Sequence, residues 1–342
     1  MRKETRQALD AYFAQLATLN EVASVVQKFN VVPRVQQTLE AKMQESSAFL
    51  QRINVIGVTE QIAAKVGVGV TGPVASRTDT SGNLTRKPRN VAALDDNQYR
   101  CVQTNFDTAI RYAQLDAWAG FPNFQTLLRD AILRRQALDR ICIGFNGTSI
   151  AATTDLAANP LLQDVNKGWL QQMREHAPEN VLAAGDKQPG KVIVGPDKAT
   201  SDYANLDAVV YDAITMLDPW NQEDPDLVAV VGRGLMHDKY FPLVNKDQPP
   251  TESLAADIVI SQKRVGGLQA VTVPFFPAGT VLVTKLSNLS MYWQRDARRR
   301  NIKDVPERDQ IENYESSNDV SAGAIEISSA SRTLTRGWSW FR

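Results

Sequence analysis

Three glycines in the stretch GVGVTG, Gly67, Gly69 and Gly72, spell the G-x-G-x-x-G spacing of a dinucleotide site. That chemistry needs the third glycine to open a helix whose N-terminal amides meet a pyrophosphate. Here Pro73 follows at once, and VASRTDTSGN has no helical period, so the motif lacks its context. The two histidines, His176 and His237, are far apart, each near a carboxylate. A triad would need a serine in a strand-to-helix elbow, and choosing Ser261 or any other would be arbitrary, so both read as surface histidines. Cys101 and Cys142 have no zinc-ligand spacing relative to them. Glu223, Asp224 and Asp226 could suggest a cation site. Pro219 and Pro225 place them in a turn, and no glycine-spaced calcium loop is present. Arg298, Arg299 and Arg300 form a dense basic run, but Asp296, Asp304, Glu307 and Asp309 flank it. The run reads as a solvated or intersubunit charge patch ahead of a DNA contact. These residues assign no reaction, cofactor or metal.

The balance of 38 Lys and Arg against 38 Asp and Glu gives zero formal charge. This argues against a dedicated nucleic-acid binder, which needs clustered excess cations, and suits self-association. Two separated cysteines are expected as free, half-buried thiols of a protein made in a reducing compartment. No apolar run reaches the roughly 18 to 20 residues of a membrane-spanning helix. The first twenty residues mix Glu4, Asp10 and Gln15 into their apolar set, so a secretory signal is not expected.

Residues 3–20 place Leu9, Phe13 and Leu16, with Tyr12 and Leu19 nearby, on one side of a helix. A break follows over 28–33, ahead of Pro33. Residues 60–100 are poor in large apolar side chains and bury little core alone, which fits a linker or a β-hairpin arm. The longest helix is predicted over 124–145, with Asn123 as N-cap and Gly144 or Asn146-Gly147 as its end, spanning roughly 33 Å. Its expected packing face is Phe124, Leu127, Leu128, Ala131, Leu138, Ile141, Cys142 and Phe145, with Gln136 and Arg140 off it. Further on, LVAVV at Leu227–Val231 is too apolar for a strand with one wet face and reads as a central strand. Gly232 ends it, and a helix over 233–240 should stop before Pro242. With a helix over 203–217 and strands over 270–273 and 281–284, the irregular mixture fits an α+β fold.

Long strings in one order carry a resemblance along almost the whole chain. They include TLEAKMQESSAFLQRINV, GVGVTGPVASRTDTSG, NPLLQDVNKGWLQ, PWNQEDPDLVAVVGR, KYFPLVNK, LAADIVISQKRVGGLQAVTVPFFPA and RDQIENYES. The chain resembles the major capsid proteins of P-two-like (peduovirus) tailed bacteriophages. The resemblance implies a Hong-Kong-97-type capsid fold. Its parts would be a removable, scaffold-contacting segment (1–29), an N-arm and the start of the peripheral domain (30–59), and an extended loop (60–100). The peripheral domain with its spine helix (101–155), an axial domain (156–295), and a return to the peripheral domain with an atypical tail (296–342) would follow. It further implies a virion subunit that assembles in the host cytoplasm into hexamers and pentamers of an icosahedral shell around double-stranded DNA. Implied partners are further copies, a scaffold protease, a portal, and completion or decoration proteins. The scaffold would dock on Leu9, Phe13 and Leu16, and trimming would fall at Lys28, Phe29 and Asn30. An encapsulin-like compartment shell and an NAD-binding enzyme are the alternatives. After Asn318, DVSAGAIEISSASRTLTRGWSWFR departs from the family's closing strand. An altered reading frame, a divergent tail or a replacement strand at 324–327 are the readings left open.

Overall fold

The structure is a computed structural model that describes residues 1–64, 69–70, 75–81, 85–87, 92–93, 98–118, 124–244, 263–324 and 332–334. Helix α1 (Lys3–Leu19) is followed by a short strand β1 (Phe29–Asn30) and by α2 (Pro33–Glu45). Pro33 stands in the first turn of α2, where a missing N–H leaves no helical bond unmade. Strand β2 (Asn54–Val58) precedes four short pieces: β3 (Ile62–Ala64), β4 (Gly69–Val70), β5 (Ala92–Ala93) and β6 (Gln98–Arg100). Then come β7 (Val102–Asn105), β8 (Thr108–Arg111), α3 (Tyr112–Trp118), the long α4 (Phe124–Asn146), α5 (Trp169–His176) and β9 (Val181–Leu182). Helices α6 (Leu206–Thr215) and α7 (Pro219–Gln222) lead to β10 (Leu227–Val231) and α8 (Arg233–Val244). The chain closes with β11 (Arg264–Val265), β12 (Leu268–Val271), β13 (Val281–Lys285), β14 (Leu289–Gln294), β15 (Arg299–Val305), β16 (Gln310–Ala324) and β17 (Arg332–Leu334).

Two sheets organise these elements. One has the order β11-β12-β10-β13-β17-β9, with β10 between parallel β12 and antiparallel β13. All five residues of β10 are buried, and successive side chains enter opposite cores. Val228 and Val230 join the core shared with α4 and α5, whereas Leu227, Ala229 and Val231 join the one beneath α6. Burial on both faces explains the unbroken apolar run. Helix α6 is capped by Asn205, whose side chain accepts from the Ala208 amide at 2.8 Å. Gly266 and Gly267, both at positive φ, make the turn between β11 and β12. Helix α8 runs past the stop expected at Pro242 and ends at Val244. A proline close to a helix end disturbs only the turn before it, through its missing N–H and the crowding of its ring on the i−4 carbonyl.

The other sheet follows β1-β15-β16-β14-β2, with β7 and β8 also pairing β16. Its axis is β16, 15 residues long, which pairs antiparallel with β15 and β8 in its first half and with β14 in its second. The strand continues through Asn318, with a one-residue register shift between Asp319 and Ser321 against β14, and Ala324 lies opposite Leu289. The closing strand is therefore continuous across the departure point, and no replacement strand is needed there. Residues 325–327 lie outside the described residues.

Helix α4 differs from expectation in which face it buries. Leu128, Ile141 and Cys142 are buried, but Leu127 is 44 % exposed, Ala131 is exposed, and Leu138 is half-buried. Leu133, Gln136, Ala137 and Arg140 are buried instead. The apolar stripe misplaces the face because two inward positions carry polar side chains. Asn123 lies outside the described residues. Toward its end the helix meets Trp169: Phe145 lies 4.9 Å from the indole between ring centroids, and Trp169 Nε1 donates to the Ser290 carbonyl at 3.1 Å. A Cβ on Gly144 would sit 2.4 Å from that ring, so only glycine permits this approach. Neither cysteine takes part in a disulfide, and both are buried, beyond the half-burial expected.

Candidate assembly site: a buried charge joint

Three carboxylates and two guanidiniums, all at most 5 % exposed, meet where α2, α4 and the long-stranded sheet converge. Glu40 comes from α2, Arg140 from α4, Arg298 from the residue before β15, and Glu315 and Asp319 from β16. Arg140 Nη2 donates to Glu40 Oε1 at 3.0 Å and to Asp319 Oδ2 at 2.8 Å. Arg298 Nη1 donates to the same Glu40 oxygen at 2.9 Å, and its Nη2 to Gln136 Oε1 at 2.8 Å. Arg298 Nε donates to Glu315, and Ser317 Oγ to Asp319 Oδ2. Arg300, at the rim, places Nε 3.7 Å from Glu315 Oε2.

Burial alone would push the Glu315 carboxyl upward; the charges of Arg298 and Arg300 outweigh it and hold the group below the usual carboxylate range. Burial likewise opposes the charge on Arg140 and Arg298, and the neighbouring carboxylates raise both above their ordinary value. Such a joint contributes little net stability over an apolar one of the same shape, but losing one member strands the others. It fixes one geometry between α2 and the sheet. A turn earlier, Gln36 extends the attachment: Nε2 donates to the Gln294 carbonyl at 3.1 Å, and Oε1 accepts from the Asp296 amide at 3.0 Å.

The N-terminal segment is tied down as well. Leu9, expected to lie free, is 1 % exposed and packs with Leu115, Leu128, Ile302 and Ile311; Tyr12 is buried, and Phe13 and Leu16 are partly so. Asp116 accepts from the Arg2 amide at 2.8 Å, and Arg6 pairs with Asp304. Tyr112 also donates to Asp304; this bond, with burial, pushes the phenol up to about 12. The open linker expected at Lys28–Asn30 is open only on its first side. Val26 is 53 % exposed and Lys28 is exposed, but Phe29 is buried. Phe29 and Asn30 pair with Arg300 and Arg299, and the Val31 amide donates to the Arg298 carbonyl at 2.9 Å.

The other residues with chemical promise stay apart. His237 is exposed beside Asp238, and His176 is exposed at the end of α5. Asp224 pairs with Lys285 at 2.6 Å and accepts from the Asp226 amide, a structural turn. Among the described residues no cluster of metal-ligating side chains occurs. Gly69 and Val70 form a strand piece, and the rest of GVGVTG lies outside the described residues. Arg298 corrects the charge-patch reading of the basic run: strand alternation turns Arg298 inward, leaves Arg299 exposed and half-buries Arg300. Alternation from Arg298 through Arg300 to Ile302, set against Glu315 on the partner strand, is the signal that could have placed this face.

Between α2 and β7 lies a feature of another kind. Strands β3 and β6 pair antiparallel, as do β4 and β5, and both pairs keep one register: Ile62 opposes Arg100 and Gly69 opposes Ala93. At the base Tyr99 stacks on Tyr292 with centroids 4.8 Å apart, while Ile62 is 49 % exposed.

Comparison with known proteins gives this architecture its context. The sequence profile of the phage major capsid protein, P2 family, matches residues 8–326, past the point where the resemblance was expected to stop. The chain is 49 % identical over 337 residues to the capsid protein of Escherichia phage P2, covering 95 % of this chain and 94 % of that one. It is 43 % identical to the major capsid protein of Serratia phage KSP20, covering 93 % of each. A capsid chain from the satellite phage P4 procapsid, solved with its size determination protein, aligns over 99 % of both chains with 46 % identity and a TM-score of 0.80. Nothing in these comparisons supports an encapsulin-like compartment or an NAD-binding enzyme. With the α+β capsid fold, the continuous β16 and a family match across nearly the whole length, the chain belongs to the P2 family of phage major capsid proteins, the structural subunits of the virion shell.

Proposed function

We propose that the subunit closes hexamers and pentamers of an icosahedral shell around double-stranded DNA by laying the β3–β6 hairpin across a neighbouring copy. The observation that carries this reading is the hairpin itself. Its described pieces hold one register, and of its described residues 75–81 and 85–87 all but the half-buried Thr78 are exposed. An isolated two-stranded ladder is marginal in water, so a neighbour's surface is the expected source of its stability. Many individually modest contacts, repeated around a closed ring, then add to a stable shell.

A second part of the reading concerns residues 1–29, which we propose a scaffold-borne protease removes as the shell matures. Support comes from the exposed stretch at Val26–Lys28, which a protease can reach while β1 stays paired. Cutting the Phe29–Asn30 bond would first require β1 to lift from β15. Portal and completion or decoration proteins would engage the assembled shell.

Deleting residues 66–86 tests the hairpin's role. The variant should keep a cooperative melt, because the segment's described residues 75–81 and 85–86 join no buried core, and should form no shells by sedimentation velocity. Loss of the melting transition would place the segment inside a domain core and defeat the reading.

A further inference from the structure

Helices α1 and α2 and the start of α4 leave between them an open groove of about 440 Å³. Its apolar walls are Tyr12, Leu16 and Leu19 from α1 and Val35 and Leu39 from α2. Leu19 is 50 % exposed at the mouth, although it continues the stripe that buries Leu9 and Tyr12. The charges around this apolar floor are of mostly one sign. Among the described residues, Arg34, Lys42, Arg129 and Arg300 line it and Glu21 is the one acidic side chain there. Arg129 is held by Asp130, and Arg300 by Asn313 and Glu315. Arg34 and Lys42 are exposed, lie two turns apart on one stripe of α2, and pair with no carboxylate among the described residues.

We infer that this groove receives an acidic amphipathic helix from a polypeptide other than this chain. Helical walls on three sides favour a helix whose apolar residues at i, i+4 and i+7 fill the floor, as in other helix-in-groove contacts. The Arg34 and Lys42 row calls for glutamates or aspartates along one flank of that helix. The inference requires only this groove, so it can fail while the shell and hairpin readings stand.

The test uses full-length protein and two fluorescent peptides of about 18 residues, each with leucines at i, i+4, i+7 and i+11. One carries glutamates beside the leucines and its twin carries lysines. By fluorescence anisotropy the acidic peptide should bind at least about tenfold tighter than its twin, since charge complementarity decides between otherwise equal helices. Arg34→Glu with Lys42→Glu should reverse that preference. Leu19→Glu should weaken the acidic peptide by about tenfold or more, because it removes apolar contact at the groove's mouth and sets a like charge against the peptide's glutamates. These side chains are exposed, so the variants should melt like the parent. Equal binding of both peptides, or acidic binding that survives the charge reversal and Leu19→Glu, would overturn the inference. So would self-association of the parent that Leu19→Glu abolishes, since the occupant would then be a second copy.

Discussion

Glu40 is the residue on which the buried joint depends, because one carboxylate serves both Arg140 and Arg298. Glu40→Ala should destabilise the subunit by about 3–5 kcal/mol in urea unfolding, since it removes the buried charge that both guanidiniums share and leaves Arg140 with Asp319 alone and Arg298 with Glu315. A loss under 1 kcal/mol would mean that water or other groups satisfy the two arginines. Glu315 gives the joint a pH dependence of definite sign. Its folded-state carboxyl lies below its ordinary value of 4.5, so its contribution is complete above that value and is lost as pH falls through the folded value. Stability should be flat from neutral pH down to the carboxylate range and then fall, and Glu315→Gln should lower the plateau while flattening the fall. The thiols make a simpler case. Burial pushes Cys142 up to about 11, and Cys101 is wholly buried, so Ellman's reagent should read both only after unfolding. Sequence reasoning reached the unbridged thiols and the acidic turn but not the joint. Arg298 looked like one of three surface arginines, and only the pairing of β15 with β16 turns it toward Glu315.

Among the elements, apolar periodicity located α4 to within a residue or so at each end and placed its inward face only in part, with Leu128, Ile141, Cys142 and Phe145 buried as expected and Leu127 and Ala131 not. Period reading treats Gln136 and Arg140 as solvent-facing, whereas the helix here packs on a polar joint that partners drawn from distant sequence positions complete. The difference is testable by a pair of substitutions. Ile141→Asp should abolish soluble, folded protein, since a carboxylate at a fully buried position has no partner. Ala131→Asp should lower stability in urea by no more than about 1 kcal/mol, the helix-propensity cost of Asp against Ala at an exposed position. Equal damage from both would restore the face expected from the apolar stripe. The N-terminal helix carries a lesson of the same kind. Its apolar side was legible, but its occupant was not, because Leu115, Leu128, Ile302 and Ile311 come together only in the fold. A chain beginning at residue 30 should uncover these four and bind more of the hydrophobic dye ANS than the full chain. Unchanged dye binding would mean that α1 contributes no cover.

For the whole molecule, most of the architecture was readable from long strings of sequence in one order, and the buried run of β10 was readable from its composition alone. The closing strand was not. Asp319 to Ala324 carries few large apolar residues, and what holds it is the backbone ladder to β14 together with the Asp319 ion pair. Pairing across some thirty residues of sequence leaves no local signature. As the repeating subunit of a closed shell, the full chain should assemble into closed icosahedral particles, and electron cryo-microscopy of those particles should show each subunit's 62–100 hairpin lying over the adjacent copy. Particles of this chain with no closed symmetry, or shells whose hairpins touch only their own subunit, would rule this out.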